Sequence, residues 1–256
     1  MKQWALAAVA LIGLGGVLGT PAFGAESQAA ELSKQDRAFI EEHMGVDFLG
    51  KPIAPPTIGP VQQFFGLTDG ATWVFQDVLE NSPWELSFNY VDGAAEPTAW
   101  RIDYSNGDVR LGEFDEQGNA LSISLKDAKE GAITQMTPSE LYLVAGLELK
   151  QPRSQRLDIK MVEADNPNKL KYEGYLNVTY EYIGAHKVTV PAGTFDVAVT
   201  KWNYEGMVGP AKIKDQQYYF FAEGIGPIAL IENKKIVAMV FYRKSIRLTG
   251  VLTERR

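Results

Sequence analysis

The stretch Val188-Thr-Val-Pro-Ala-Gly-Thr-Phe-Asp196 decides the fold of this chain of 256 residues. Valine and threonine alternate before the turn with the period of a half-buried β-strand. Pro191 fixes its φ angle and has no amide hydrogen to donate, and Gly193 tolerates a positive φ, so the chain must turn there. The period of two resumes from residue 195 to residue 199. The stretch therefore predicts a strand, a tight turn and a second strand.

The same alternation returns along most of the chain after residue 64. Apolar residues, many of them aromatic or β-branched, occupy every second position in residues 84–90, 100–104 and 176–182, as expected for strands. Asn106-Gly107 predicts a hairpin with a type I′ turn. About a dozen short strands with turn signals every 8–12 residues are typical of an antiparallel sandwich, barrel or strongly curved sheet.

Two further segments carry weaker signals. Residues 137–140, Thr-Pro-Ser-Glu, have the residue types of a helix cap, whereas the apolar residues that follow suit a strand as well, so segment 138–150 stays open between helix and strand. Residues 233–235, Asn-Lys-Lys, interrupt an apolar run. This polar triplet predicts the tip of a hairpin.

The N-terminal residues predict export. Lys2, an apolar run over residues 5–18 and the small residues Ala22 and Gly24 form the pattern of a secretory signal peptide over 1–24, with the mature chain starting near residue 25. A membrane anchor is the less suitable interpretation, because it needs about 20 apolar residues. Residues 25–60 are predicted to form a leader, a short helix capped by Ser33 and a proline-rich connector. Residues 61–256 then form the antiparallel β domain.

Composition narrows the class of protein. The chain has no cysteine, which excludes disulfides, thiolate metal sites, a cysteine nucleophile and a lipidation cysteine. A formal net charge of −7 argues against general nucleic-acid binding. Five basic residues near the C-terminus are interpreted as a solvated strand edge and tail, namely Arg243, Lys244, Arg247, Arg255 and Arg256.

Three separated segments resemble one family. Residues 64–75, 188–196 and 219–228 are similar in order and spacing to the motifs of a loosely defined group of bacterial envelope proteins with the V-x-V-P-A-G-T-F-D signature, although Gly66 and Phe75 depart from the first motif. Such proteins resemble Lol-type lipoprotein carriers. The resemblance implies a periplasmic or secreted protein, with a Gram-negative envelope as its location, and it supplies no catalytic residue. We therefore expect a mainly β protein, with a single antiparallel curved sheet, half-barrel or sandwich and a short N-terminal helix.

Residues with catalytic chemistry form no recognisable set. His43 and His186 are the two histidines, and nothing in the sequence brings them together as metal ligands or as part of a triad. The carboxylates Asp103, Glu113 and Asp115 suit outward polar positions on a hairpin. We therefore predict no catalytic residue, no metal, no cofactor and no enzymatic activity.

Aromatic residues are more numerous than one face of a thin sheet can bury. They either fill a core or line a cavity for an apolar ligand. The predicted ligand-binding residues are Trp84, Phe88, Tyr90, Trp100, Tyr180, Tyr182, Trp202, Tyr219 and Phe221. The favoured function is non-catalytic binding or carriage of an apolar or amphipathic, lipid-like molecule. The alternatives are an assembly module for an envelope protein partner and, third, a hydrolase acting on glycans. No nucleic-acid partner and no stable membrane span after signal removal are expected.

Overall fold

The computed structural model describes residues 30–91, 98–238 and 242–256. The predicted signal peptide lies outside the described residues. Neither helix in the described part is long and apolar enough to cross a bilayer. The elements in chain order are α1 (Lys34–Met44), β1 (Leu49–Pro52), α2 (Val61–Phe64), β2 (Thr72–Gln76), β3 (Pro83–Tyr90), β4 (Ala99–Tyr104), β5 (Val109–Phe114), β6 (Ala120–Asp127), β7 (Ala132–Leu143), β8 (Arg153–Glu163), β9 (Leu170–Val190), β10 (Gly193–Val208), β11 (Ala211–Ala222), β12 (Gly226–Ala238) and β13 (Tyr242–Arg255).

The strands β2 to β13 form a closed antiparallel barrel of 12 strands. Each of these strands pairs with the next one in sequence, and β13 pairs back with β2 to close the ring. A hydrogen bond of 3.0 Å from Thr253 Oγ1 to the carbonyl oxygen of Val74 joins residues 179 positions apart at this seam. The short strand β1 adds to the end of β9 outside the ring.

The expectation of an open curved sheet, half-barrel or sandwich is wrong, because the sheet has no free edge between β2 and β13. Alternation along a strand reports which side chains share a face. It does not report which distant strand an edge will pair with, and closure depends on that pairing alone. A closed ring also explains the aromatic excess, since its inward face surrounds one interior.

The hairpin at the deciding stretch is confirmed. Val190 pairs with Gly193, which leaves Pro191 and Ala192 as the loop between β9 and β10, and Gly193 has φ of 142°. The hairpin predicted at residues 106–107 is also present, but its turn type is wrong. Tyr104 pairs with Asp108 through a backbone bond of 3.0 Å, so the loop is longer than a type I′ turn. Its glycine alone is left-handed, with φ of 88°.

The segment left open, 138–150, is a strand only as far as Leu143. β7 runs through residues 137–143, so the Thr-Pro-Ser-Glu sequence is no helix cap. Its pairing with β6 skips from Gln135 to Glu140, and this bulge carries the residues that resembled a cap. The hairpin tip predicted at residues 233–235 is also wrong, because these residues lie in the middle of β12. Lys234 pairs across the sheet with Asp215.

The N-terminal helix begins where the cap predicted it. The Ser33 hydroxyl accepts a bond of 3.1 Å from the Asp36 amide, and α1 then packs on the outer surface of the barrel. Phe39 stacks on Tyr218 with ring centroids 5.0 Å apart, and Tyr218 points outward because its neighbour Tyr219 faces the interior. The outer wall at β10 and β11 is therefore covered by a helix.

The proline-rich connector and α2 close one end of the barrel. Backbone bonds join them to three barrel loops: Gly146 donates to Ile58 at 2.9 Å, Val61 donates to Gly118 at 3.3 Å and Gly224 donates to Phe64 at 2.9 Å. Ile58, Val61 and Phe64 are each at most 2% exposed. We call this the capped end. The β10–β11 turn, where Val208 pairs with Ala211, lies at the opposite end.

Candidate functional site

The interior of the barrel is layered from the capped end to the opposite end. Alternate residues of every strand face inward. Along β10 the inward residues are Trp202, then Tyr204, then Val208, which pass from an aromatic layer through a polar layer to an apolar rim. β11 shows the same three layers toward the β10–β11 turn, with Phe221 in the aromatic layer, Gln217 in the polar layer and Ile213 at the apolar rim.

The aromatic layer contains most of the nine residues predicted from the sequence. Trp202 contacts both Tyr219 and Tyr180, with ring centroids 4.4 Å and 5.8 Å away. Tyr142, which the sequence analysis did not single out, links Trp202 to Trp100 at 5.9 Å and 5.5 Å. The contacts continue from Trp100 to Phe88 and Tyr90, and from Tyr219 to Phe221.

The two remaining predicted residues lie apart from this layer. Trp84 stacks on Phe75 at 4.4 Å, and the Tyr182 hydroxyl donates a bond of 3.1 Å to Pro56 in the connector. A cavity lined by Phe88, Trp202 and other aromatic-layer residues measures about 40 Å³, close to the roughly 30 Å³ that one water takes in the liquid. Ligand binding by the nine aromatic residues stays a prediction.

A buried ion pair forms one half of the polar layer. Arg110 on β5 donates from Nη1 to Glu140 Oε2 at 2.8 Å and to Ser122 Oγ at 3.0 Å. The Tyr204 hydroxyl donates to the other oxygen of Glu140 at 2.7 Å. The Arg110 guanidinium also lies over the Tyr142 ring, 4.5 Å from its centroid. Burial would lower the pKa of Arg110, but the charge of Glu140 together with the surrounding Tyr104, Tyr142 and Tyr204 outweighs it and holds that pKa well above its ordinary value.

A lysine between two carboxylates forms the other half. Lys234 Nζ contacts Asp215 Oδ2 at 3.3 Å and donates a short hydrogen bond to Glu232 Oε1. Gln217 Nε2 donates to the same oxygen of Asp215 at 2.8 Å, and the Tyr219 hydroxyl holds Gln217 with a bond of 3.0 Å. Tyr219 of the aromatic layer thus positions the Gln217 amide that donates to Asp215.

The three charges of this cluster shift one another's pKa values. Burial raises the pKa of Asp215 from 3.8 to about 6, against the charge of Lys234 and with help from Glu232. Burial acts on Glu232 in the same direction, but the charge and hydrogen bond of Lys234, with smaller contributions from Asp215 and Arg110, outweigh it, so the pKa of Glu232 is lowered. The two carboxylates share one lysine and titrate as a pair, with the pKa of Asp215 raised and that of Glu232 lowered.

A cavity of about 200 Å³ adjoins both ion clusters. The polar floor consists of Arg110, Glu140, Tyr204, Asp215, Gln217 and Lys234. The apolar walls consist of Leu125, Met136, Leu157, Ile159, Met161, Leu176, Val208 and Ile213. Val208 and Ile213 adjoin the β10–β11 turn, so the walls lead toward the end opposite the cap. Lys234 has 30% of its side-chain surface exposed, which shows that water reaches the floor.

Two polar atoms of the floor lack a hydrogen-bond partner among the described residues. They are Arg110 Nε and Asp215 Oδ1. The Asp215 side chain is only 4% exposed, so its second oxygen is an unpaired acceptor in a buried carboxylate. Buried polar atoms without partners are rare in folded proteins and cost stability. Their position beside an open volume is typical of a site that receives a ligand.

A larger groove of about 650 Å³ lies on the surface near the capped end, beside the β9–β10 hairpin. Its charged residues already have partners: Arg255 donates to the carbonyl oxygen of Gly66 at 2.6 Å, and Arg256 pairs with Glu254 at 3.2 Å. We favour the smaller cavity as the functional site because its floor contains buried charge and unpaired polar atoms, which the surface groove lacks.

The residues considered for catalysis do not converge. His43 Nδ1 lies 2.8 Å from the carbonyl oxygen of Phe39 in α1, whereas His186 Nδ1 lies 3.1 Å from that of Gly50 in β1. Within the described ranges, no group of three or more side chains could hold a metal ion. Asp103 and Asp115 bond to neighbours on their own hairpins, Arg101 and Asn119 respectively, and Glu113 is exposed.

The charged floor was missed in the sequence, although a signal for it was present. Asp215 and Gln217 continue the alternation of Tyr219 and Phe221, and Lys234 continues that of Leu230. Following the period of two beyond the aromatic residues would have placed these polar side chains on the inward face. Their residue types instead suggested turns and solvent-facing positions.

No protein-family model matches this chain, and no curated protein matches it. Three solved structures are similar to it at low identity. A presumed lipoprotein from Parabacteroides distasonis has 14% identity and a TM-score of 0.38, over 76% of this chain and 99% of the other. A presumed exported protein with a YmcC-like fold from Bacteroides fragilis has 14% identity and a TM-score of 0.43, over 75% and 98%.

The third structure is the hypothetical lipoprotein YmcC from Escherichia coli, with 9% identity and a TM-score of 0.39, over 86% of this chain and 93% of the other. With TM-scores below 0.5, these three likenesses assign neither a family nor a function. The function must therefore be argued from the residues of the cavity.

Proposed function

We propose that this chain is a non-catalytic, exported protein of the bacterial cell envelope that binds a small amphipathic molecule inside its barrel. The observation that carries the proposal is the unpaired Asp215 Oδ1 beside a cavity of about 200 Å³. A polar group of the ligand pairs with the floor, and its apolar part lies along the leucine, isoleucine, methionine and valine side chains of the walls.

The volume sets the size of the bound part. A cavity of about 150 Å³ holds benzene, whereas pockets for drug-sized ligands measure about 300–1,000 Å³. The cavity of about 200 Å³ therefore holds a head group with a short chain, or one end of a longer chain. This supports binding of an amphipathic molecule and argues against enclosure of a whole lipid.

The carboxylates of the floor support binding more than hydrolysis. Glycosidases need two carboxyl groups on either side of the glycosidic bond, one of them free to give a proton. Asp215, with its unpaired oxygen and raised pKa, could supply one of them. The second is missing from the described residues around the cavity, because Glu140 bonds to Arg110 and Tyr204 and Glu232 bonds to Lys234. The cavity also falls below the volume of ordinary substrate pockets.

The export part of the proposal rests on the signal-like residues 1–24 and on the absence of cysteine. A signal peptide without a lipidation cysteine is typical of a protein released into the periplasm or secreted. Fractionation of cells that express the full chain tests it, since the mature protein is expected in the periplasmic or secreted fraction with residues 1–24 removed. Retention of the intact N-terminus in the membrane contradicts the predicted cleavage.

Methionine methyl groups provide a direct test of the cavity. Met136 and Met161 line it, whereas Met207 lies on the outer face of β10 with 46% exposure. We expect titration of methyl-¹³C-methionine-labelled protein with 1-hexanol to shift the NMR signals of Met136 and Met161 and to leave that of Met207 in place. Unchanged Met136 and Met161 signals at millimolar hexanol would contradict binding of a neutral head group, and the same result with charged six-carbon ligands would overturn the proposal.

A matched pair of variants tests whether hexanol binds inside the cavity. Val208→Phe introduces a ring into the cavity, whereas Met207→Phe introduces the same ring at the neighbouring position on the outer face. We expect the first variant to lose hexanol binding and the second to keep it. Equal binding by both would place the hexanol elsewhere.

A further inference from the structure

We propose that the cavity selects a cationic head group, an alkylammonium, with the carboxylate of Asp215 as its counter-ion. This inference rests on the proposed function and names the class of its ligand. Three observations carry it: the excess of negative charge at the floor, the unpaired oxygen of Asp215, and the existing bonds of Arg110 to Glu140 and Ser122.

The charge at the floor is unbalanced. Its two cations, Arg110 and Lys234, face its two carboxylates, Glu140 and Asp215. A third carboxylate, Glu232, lies beside the floor and bonds to Lys234. Arg110 and Glu140 neutralise each other at 2.8 Å. Lys234 is therefore the one cation left, among the described floor residues, for both Asp215 and Glu232. An uncompensated buried charge is costly, and a ligand with one positive charge would complete the balance.

The hydrogen bonds leave the excess negative charge on one atom, Asp215 Oδ1. Asp215 Oδ2 accepts from Gln217 at 2.8 Å and contacts Lys234 at 3.3 Å, while Asp215 Oδ1 has no hydrogen-bond partner in the described part of the chain. The side chain is 4% exposed and lines the cavity. An ammonium group has three donors and no acceptor, so it supplies both the hydrogen bond and the positive charge that this oxygen lacks.

An anionic head group fits the same floor less well. It would pair with Arg110 Nε, the other atom without a partner. That guanidinium is already bonded to Glu140 and Ser122, and a carboxylate would add a fourth negative charge to a site with two positive ones. Like charges brought together in a buried site repel strongly.

Three ligands with the same chain test the inference on the unmodified protein. Hexylammonium, 1-hexanol and hexanoate differ in head-group charge and share six carbons. From the strength of charged hydrogen bonds, we expect hexylammonium to bind about 10-fold more tightly than hexanol, and hexanoate to bind more weakly than hexanol. The shifts of the Met136 and Met161 methyl signals give the three affinities.

The outcomes separate the two proposals. Binding of hexanol with equal or weaker binding of hexylammonium overturns the cationic selectivity and leaves the proposed function standing. Absence of binding by all three overturns both. Tighter binding of hexanoate than of hexanol would assign the floor to an anion through Arg110 and would contradict the inference.

Asp215→Asn tests the assigned counter-ion. This variant keeps the size of the side chain and removes its charge, so we expect hexylammonium affinity to fall to that of hexanol while hexanol affinity is retained. Asp158→Asn is the control, because Asp158 lies on the outer face of β8 with 73% of its side chain exposed. Retained preference for hexylammonium in folded Asp215→Asn contradicts the role of Asp215. The comparison of the three ligands on the unmodified chain remains decisive if this variant does not fold.

Discussion

The Tyr218 hydroxyl on β11 donates a hydrogen bond of 2.7 Å to Asp36 Oδ1 in the first turn of α1, 182 residues earlier in the chain. Lys201 on β10 donates to the same oxygen at 2.7 Å. Burial would raise the pKa of Asp36, but its bonds to Lys201, Ser33 and Tyr218 outweigh burial and lower it. One carboxylate thus fastens the helix to two adjacent strands of the barrel wall.

Tyr218→Phe removes the hydroxyl and keeps the ring that stacks on Phe39. We expect the free energy of unfolding to fall by about 2 kcal/mol, since hydrogen bonds to charged groups contribute about 1.5–3 kcal/mol. Urea unfolding at pH 7 measures this fall. Because the folded-state pKa of Asp36 is lowered, its contribution is present above 3.8 and is lost as the pH drops below that value. Tyr242→Phe, at a tyrosine that is 53% exposed, is the control and should change stability by less than about 0.5 kcal/mol.

Gly112→Ala is expected to damage the aromatic layer. A β-carbon at Gly112 would lie 2.1 Å from the Trp100 ring and 2.1 Å from the carbonyl oxygen of Leu121, so the indole must leave its place over β5. We expect a loss of about 3 kcal/mol or more in unfolding free energy, accompanied by a changed tryptophan fluorescence spectrum. Gly59→Ala meets no atom within 4 Å and should unfold like the parent chain. Equal stability of both variants would contradict the packing described for Trp100.

Glu140→Gln leaves the buried guanidinium of Arg110 without its negative partner. Removing one member of a buried ion pair costs about 3–5 kcal/mol; Arg110 retains its bond to Ser122, so we expect about 3 kcal/mol. Thermal and urea unfolding measure the change. Glu113→Gln on the outer face of β5 is the matched control and should have a small effect. A stable Glu140→Gln protein would show that the ion pair contributes little to the fold.

The affinity for hexylammonium is expected to depend on pH near 6. Asp215 has a raised pKa of about 6 in the free protein, and an ammonium pairs with its ionised form only. Among the groups that face it, Lys234 stays protonated and Glu232 stays ionised near pH 6, because the pKa of the first is raised and that of the second lowered. Arg110, across the cavity, also keeps its charge.

Below pH 6 the affinity should therefore fall by up to about 10-fold per pH unit as a proton competes for Asp215, whereas hexanol affinity should change much less. Titrations of both ligands at pH 7.5, 6 and 5 measure the two slopes. If the affinities of hexylammonium and hexanol change equally with pH, Asp215 is not the counter-ion of the bound ammonium.

Local structure could be predicted from this sequence because its causes are local. The Ser33 cap, the Pro-Ala turn at residues 191–192 and the strand alternation each depend on residues that are neighbours in the chain. Closure of the barrel joins Val74 to Thr253, and no periodicity specifies that pairing. The turn type at Asn106 was wrong because the loop length depends on where the cross-strand bonds stop.

The candidate site was missed because its charged residues have the composition of turns and caps. Glu140 stands in a sequence that resembles a helix cap, and Lys234 lies beside Asn233 in a triplet that resembles a hairpin tip. Only the closed ring, which gives every inward position a common interior, brings Glu140, Asp215 and Lys234 to one cavity. Because Asp, Glu and Lys are mostly exposed in folded proteins, the sequence pattern alone did not indicate that these three side chains face the interior.

The packed aromatic layer closes the cavity toward the capped end. Among the described residues, the rings around Trp202 leave about 40 Å³ between them, too little for an alkyl chain to pass toward the capped end. A bound molecule must then leave by the route through which it entered, past Val208 and Ile213. Side chains at this rim would govern the speed of loading and of release together, whereas Asp215 would govern how long the occupied state lasts. Rim substitutions that leave the cavity volume unchanged would therefore change both rate constants in proportion and keep the equilibrium affinity, in contrast to Val208→Phe, which fills the cavity.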